Sequence, residues 1–140
     1  QEREEIMAKI KHIAIRTPDP EATANFYKKV FGMEEAGKAG SGFYLTDGYL
    51  NLAILQSKDE GSEESARDAA GYAGIDHFGF LVEDTDEVCA ALDEAGATPM
   101  IGRVTLNLAP SATAQSYYEI KYRGPDNQVI DITSSGWVGN

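Results

Sequence analysis

The strongest constraint on this chain is that it carries one pattern twice. The first copy begins at His12 and reads HIAIRTPDPEATANFYKKVFGM; the second begins at His77 and reads HFGFLVEDTDEVCAALDEAGAT. Each opens as a strand with alternating faces, turns through Pro or Asp, continues with helical spacing and stops at a glycine, Gly32 or Gly96. Asp19 is placed to cap the first helix ahead of Pro20 at its first position. Thr85 is expected to cap the second helix, with Val88, Ala91, Leu92 and Ala95 as its apolar stripe.

Strands follow each helix. FYLTDGYLNLAIL predicts a hairpin around Asp47-Gly48, and YYEIKYRGPDNQVIDIT predicts another around a longer turn containing Pro125. A further strand is expected before each hairpin, at Glu34 to Lys38 and at Thr98 to Val104. The stretch QSKDEGSEESARDAAGYAG is polar and rich in small residues, as a surface linker would be. The expected organisation is one compact unit: a tag or disordered leader at 1–7, a first βαβββ module at 8–56, a linker at 57–73 and a second βαβββ module at 74–138. One such module is too small to bury both faces of its sheet. Two side by side give an α+β fold, a curved mixed sheet with helices on its convex face and a concave cup on the other.

Charge narrows the partners. With 12 Lys and Arg against 23 Asp and Glu, the formal net charge is −11, which opposes binding to nucleic acid or to anionic membrane surfaces. No apolar run approaches the length of a membrane-spanning helix. Cys89 is the single cysteine, so no disulfide forms within this sequence, which suits the reducing cytoplasm expected for it. It falls in a helical pattern without a basic neighbour and reads as a small core residue.

Strand alternation sorts the remaining side chains. His12, Ala14 and Arg16 share one face of their strand against Ile13 and Ile15; His77, Gly79 and Leu81 oppose Phe78, Phe80 and Val82. On the last strand Ile130 and Ile132 belong to the core, leaving Val129, Asp131 and Thr133 for the cup, and Asn51 takes the equivalent place in the first copy. Tyr118, Ile120 and Tyr122 share one face of their strand and Glu119 and Lys121 the other, so only one set lines the cup. Arg103 is either an anchor for an anionic substrate or a solvated surface arginine. TLNLAPSATAQS is either a lid over the cup or a long loop.

The segments HIAIRTPDPEATANFYKKVFGM, GIDHFGFLVED and GPDNQVIDIT together resemble the vicinal oxygen chelate superfamily, which includes glyoxalase I, extradiol dioxygenases, methylmalonyl-CoA epimerase and the fosfomycin and bleomycin resistance proteins. The resemblance runs from about Ala8 to Trp137. It implies that His12, His77 and Asp131 hold a divalent metal, Fe, Mn, Zn or Ni, with coordination positions left for two adjacent substrate oxygens. It also implies an acid/base role for Glu119, a substrate pocket drawn from Asn51, Tyr118, Tyr122 and Arg103, a small-molecule substrate and a homodimer. Two departures stand out. Asp131 is one methylene shorter than the family's usual Glu, and Asn51 offers a neutral oxygen where four-ligand members carry Glu or Gln, so it cannot serve as glyoxalase I's general base. The expected function is a metal-dependent lyase, isomerase or dioxygenase acting on a small oxygen-rich substrate. The alternative is a metal-free binding or resistance protein of the bleomycin-resistance type, whose cup sequesters its ligand through aromatic residues.

Overall fold

Asp19 and Pro20 start the first helix as their chemistry requires. The computed structural model describes residues 6–58, 70–106 and 117–139, apart from the side chains of 101–106 and 117–118. Its elements run β1 (Ala8–Thr17), α1 (Pro20–Phe31), β2 (Glu34–Ala39), β3 (Gly42–Thr46), β4 (Asn51–Gln56), β5 (Gly74–Val82), α2 (Thr85–Glu94), β6 (Thr98–Leu106), β7 (Tyr117–Arg123) and β8 (Val129–Thr133). Most of the expected leader and linker, and 107–116 of the stretch read as a lid or loop, lie outside the described residues.

The Asp19 carboxylate accepts the Ala22 N–H at 3.0 Å, and Gly32 ends α1 in the left-handed conformation at φ 69°, donating its N–H to the Lys28 carbonyl. The second helix corrects one expectation. Asp84, not Thr85, is its cap: Asp84 keeps extended backbone and accepts the Glu87 N–H at 3.1 Å, while Thr85 is already the first helical residue and is buried. A carboxylate at this position also meets the positive end of the helix dipole, an advantage the hydroxyl of Thr85 lacks.

All eight strands form one curved, unclosed sheet in the order β2-β3-β4-β1-β5-β8-β7-β6. The central pair, β1 and β5, is antiparallel, and each central strand pairs in parallel with the last strand of its own half, β1 with β4 and β5 with β8. The repeat in the sequence thus becomes a repeat across the middle of the sheet. Both helices lie on one face. Leu45, Leu52, Ile54 and Ala24 form the core beneath α1, with Ile13 and Ile15 packed against them. Val82, Tyr122 and Ile132 form the core beneath α2, with Phe80, Val88, Cys89 and Leu92 around them. Each fully buried Leu or Ile here contributes about 1.5–3 kcal/mol through removal from water. Among the described residues, no helix is long and apolar enough to cross a membrane.

The two central strands are not regular. Their register slips between Ile10 and His12, which makes Lys11 an extra residue in β1. It slips again where Ala14 faces His77 and Ile15 faces Ile75, which makes Asp76 an extra residue in β5. Such bulges re-aim the neighbouring side chains. Each histidine follows one.

Candidate metal centre

His12 and His77 leave the central strands on the face opposite the helices and are 4% and 8% exposed, and Asp131 joins them from β8 fully buried. His12 Nε2 stands 3.3 Å from His77 Nε2, while Asp131 Oδ2 lies 3.8 Å from the first and 3.2 Å from the second. Three ligand atoms from three strands therefore converge, and together they form a group able to hold a metal ion.

The surrounding hydrogen bonds decide which nitrogens face this point. Asn51 donates through Nδ2 to the Val138 carbonyl at 2.8 Å, so its Oδ1, 2.7 Å from His12 Nδ1, must accept a proton from that nitrogen. Asp76 Oδ2 accepts from His77 Nδ1 at 2.6 Å and is itself approached by Arg16 Nε at 3.8 Å. In their neutral forms both imidazoles are thereby fixed with Nε2 as the free nitrogen, the tautomer that outer partners impose on metal-binding histidines. Asn51 serves here by orienting His12, which accounts for a neutral side chain at its position.

Asp131 is divided between two tasks. Its Oδ1 accepts from Lys121 Nζ at 2.6 Å. Its Oδ2 is buried and forms no hydrogen bond of good geometry, though His77 Nε2 approaches it as an ion pair at 3.2 Å. An orphaned carboxylate oxygen in the interior is costly. A cation held by Oδ2 and the two Nε2 atoms removes that cost, and spacings of this size suit bonds of about 2.0–2.2 Å to one ion. The residues present fit a divalent metal.

Burial and charge shift these groups in opposite directions. Burial, with the charge of His77, lowers His12 to about 4. Burial alone would lower His77 too, but the carboxylates of Asp131 and Asp76 outweigh it and raise this histidine above its ordinary value. Burial alone would raise Asp131, but His77, Lys121 and His12 hold it well below the usual carboxylate range. Of the two, His77 is therefore the histidine that keeps a second proton to the higher pH, and when protonated its Nε2 donates to His12 Nε2.

Glu119 and Lys121 are the pair of β7 that lines the cup. Lys121 Nζ lies 3.5 Å from Glu119 Oε1, and Glu119 Oε2 accepts from Trp137 Nε1 at 3.4 Å. Burial and the charge of Asp131 raise Glu119 above its ordinary value. Tyr122 belongs on the other face: its hydroxyl donates to Asp93 of α2 at 2.9 Å and its ring packs in the helix-side core, so the structure separates it from the cup where it was expected. Alternation along β7 required this once Glu119 and Lys121 faced inward. The side chains of Arg103 and Tyr118 lie outside the described residues.

Three neighbours of the cluster escaped the reading of the sequence. Asp76 should face away from His77 by alternation, and the bulge turns it to the same side. Lys121 was placed on a face but not at the carboxylate. Trp137 follows the last strand, folds back and stacks on the His12 ring with centroids 4.6 Å apart and planes 5° from parallel. The glycine at 79 was the available signal, since a Cβ there would lie 2.7 Å from the indole.

Solved structures share this fold. The 2,3-dioxygenase LapB from Pseudomonas sp. KL28 superposes with a TM-score of 0.66 at 21% identity, covering 94% of this chain and 42% of that one. The Mn(II)-bound glyoxalase from Novosphingobium aromaticivorans gives 0.66 at 18% identity, over 94% of this chain and 40% of that one. This chain thus spans less than half the length of either. Streptomyces coelicolor methylmalonyl-CoA epimerase, solved with 2-nitronate-propionyl-CoA, gives 0.64 at 20% identity over 94% of this chain and 97% of its own. No curated protein matches the chain. The sequence model for the Glyoxalase/Bleomycin resistance protein/Dioxygenase superfamily matches residues 9–132, which takes in both repeats and His12, His77 and Asp131, and the chain belongs to that superfamily.

Proposed function

We propose that the cup is a metal-dependent active site, with His12, His77 and Asp131 holding a divalent ion (Fe, Mn, Zn or Ni), and that the chain is a lyase, isomerase or dioxygenase acting on a small oxygen-rich substrate. The observation that carries this reading is the orphaned Asp131 Oδ2 facing two imidazole nitrogens whose tautomers are set from behind. Once bound, the ion would supply Lewis acidity toward two adjacent substrate oxygens. The chain's own residues supply the rest. Asp76 and Asn51 keep the imidazoles aligned, and Trp137 keeps water from the His12 side. Glu119, raised by burial, is suited to holding and returning a proton beside the cluster. The structural relatives named as dioxygenase, glyoxalase and epimerase support the range of reactions. The same reading has the chain act as a cytoplasmic homodimer.

One observation favours the metal-free alternative: Lys121 already neutralises Asp131 through Oδ1. Titration of metal-free protein with Mn2+, Fe2+, Zn2+ and Ni2+ separates the two. Micromolar binding of at least one ion is the expected outcome, and failure of all four to bind removes the metal-dependent reading.

The protonation pattern sets the pH response. The raised His77 stabilises the metal-free fold below its unfolded value near 6.5, and that contribution is lost as pH rises through its folded value. Metal must displace this proton, whereas His12 is already neutral down to about 4. Calorimetry in buffers of different ionisation enthalpy, at pH 6, should therefore detect about one proton released per metal rather than two, with affinity falling as pH falls.

A further inference from the structure

The residue of the cup whose presence metal binding does not explain is Lys121. It is 7% exposed, faces Asp131 directly in the β7–β8 register and places Nζ 2.6 Å from Asp131 Oδ1 and 3.5 Å from Glu119 Oε1. Removing an ammonium from water is costly, and orienting a carboxylate needs only a neutral donor. A serine, asparagine or glutamine could hold Oδ1. The chain instead keeps a full positive charge on the far oxygen of the carboxylate whose near oxygen faces the metal ligands.

That placement has two consequences. Lys121 occupies Oδ1 and leaves Oδ2 alone to face the histidines, so Asp131 is a one-oxygen ligand. The ammonium and any divalent ion also share a single carboxylate, and their like charges weaken metal binding while concentrating positive potential in the cup. The His pair adds no negative charge to balance it. Glu119 offsets one unit of charge, and the rest of the deficit is met by whatever enters.

Building on the metal-dependent reading, we propose that Lys121 is a specificity-determining residue that selects substrates presenting two ionised adjacent oxygens over those presenting one. It does so at the expense of metal affinity. A purely structural lysine would support both metal and ligand binding, so its loss would weaken both. A charge-selecting lysine gives opposite signs.

The test compares oxalate and oxamate, planar two-carbon chelators that differ by one negative charge, on the Mn2+-loaded protein by calorimetry. Wild type is expected to prefer oxalate by about 30-fold, Lys121→Gln to reduce this preference to about threefold and to bind Mn2+ about tenfold more tightly, the Gln side chain still donating to Oδ1. Lys121→Arg keeps the charge and should keep a preference above about tenfold, and Lys121→Met, which removes the charge at similar length, should fall to about threefold and serves where Lys121→Gln fails to fold. An unchanged preference in Lys121→Gln, a lost one in Lys121→Arg, or weaker Mn2+ binding by Lys121→Gln overturns the inference while leaving the metal site intact. Wild type that binds none of Mn2+, Fe2+, Zn2+ and Ni2+ overturns the reading of the site and this inference with it, and where another of the four binds in place of Mn2+ the same comparison is made on that form.

Discussion

Replacing His77 with alanine is expected to weaken metal binding by more than about 100-fold, beyond what the loss of an outer partner of a metal ligand produces. The reason lies in the position of its ring. His77 Nε2 lies 3.2 Å from Asp131 Oδ2, closer than His12 Nε2 at 3.8 Å, and 3.3 Å from His12 Nε2, so deleting it removes the group that joins the other two proposed ligands. The strand itself should survive. His77 contributes to the cup face, and the core beneath α2 is built from Val82, Tyr122 and Ile132 on the other side. Unchanged far-UV circular dichroism with lost Mn2+ binding is the expected pattern. Replacing Asn51, which reaches the cluster through His12 Nδ1, should cost less, about 10–100-fold. Full-strength binding in His77→Ala would remove the assignment of the ligands.

Gly79→Val is expected to destabilise the protein by about 2–3 kcal/mol, equivalent to about 6–10 °C in Tm. Gly79 lies on β5 across from Asp131, and a Cβ built there would fall 2.7 Å from two carbons of the Trp137 indole and 3.2 Å from the Asp131 Cβ. The indole cannot simply retreat. It is stacked on His12, its Nε1 reaches Glu119, and the chain on its C-terminal side is tied by Asn51 to the Val138 carbonyl and by Thr46 to the Gly139 carbonyl. A valine at 79 must expel the ring. Because Trp137 is the sole tryptophan, its emission should shift to the red in Gly79→Val, and an unchanged Tm and spectrum would contradict the packing described.

The same region shows where sequence reading stops. The duplicated pattern carried the topology, since His12 and His77 each begin a strand that feeds a capped helix, and local signals such as Asp19-Pro20 and Asp47-Gly48 depend only on neighbouring residues. Alternation also carried His12, His77 and Asp131 to one face. It failed at Asp76, because a bulge is a property of two paired strands and leaves no mark in one of them. It left β7 undecided between Tyr118 with Tyr122 and Glu119 with Lys121. That choice was settled by α2, whose Asp93 takes the Tyr122 hydroxyl. Trp137 is a longer-range case: its partners His12, Gly79 and Glu119 come from three strands, and only the completed sheet brings them together.

The central claim is that two imidazoles and one carboxylate oxygen hold a divalent ion in the cup. Pulsed EPR of the Mn2+-loaded wild-type protein addresses it most directly, because nitrogen modulation counts the coordinated imidazoles. The expected result is modulation from two imidazole nitrogens, those of His12 and His77, together with exchangeable water at the remaining positions. Bound Mn2+ without imidazole modulation would contradict it.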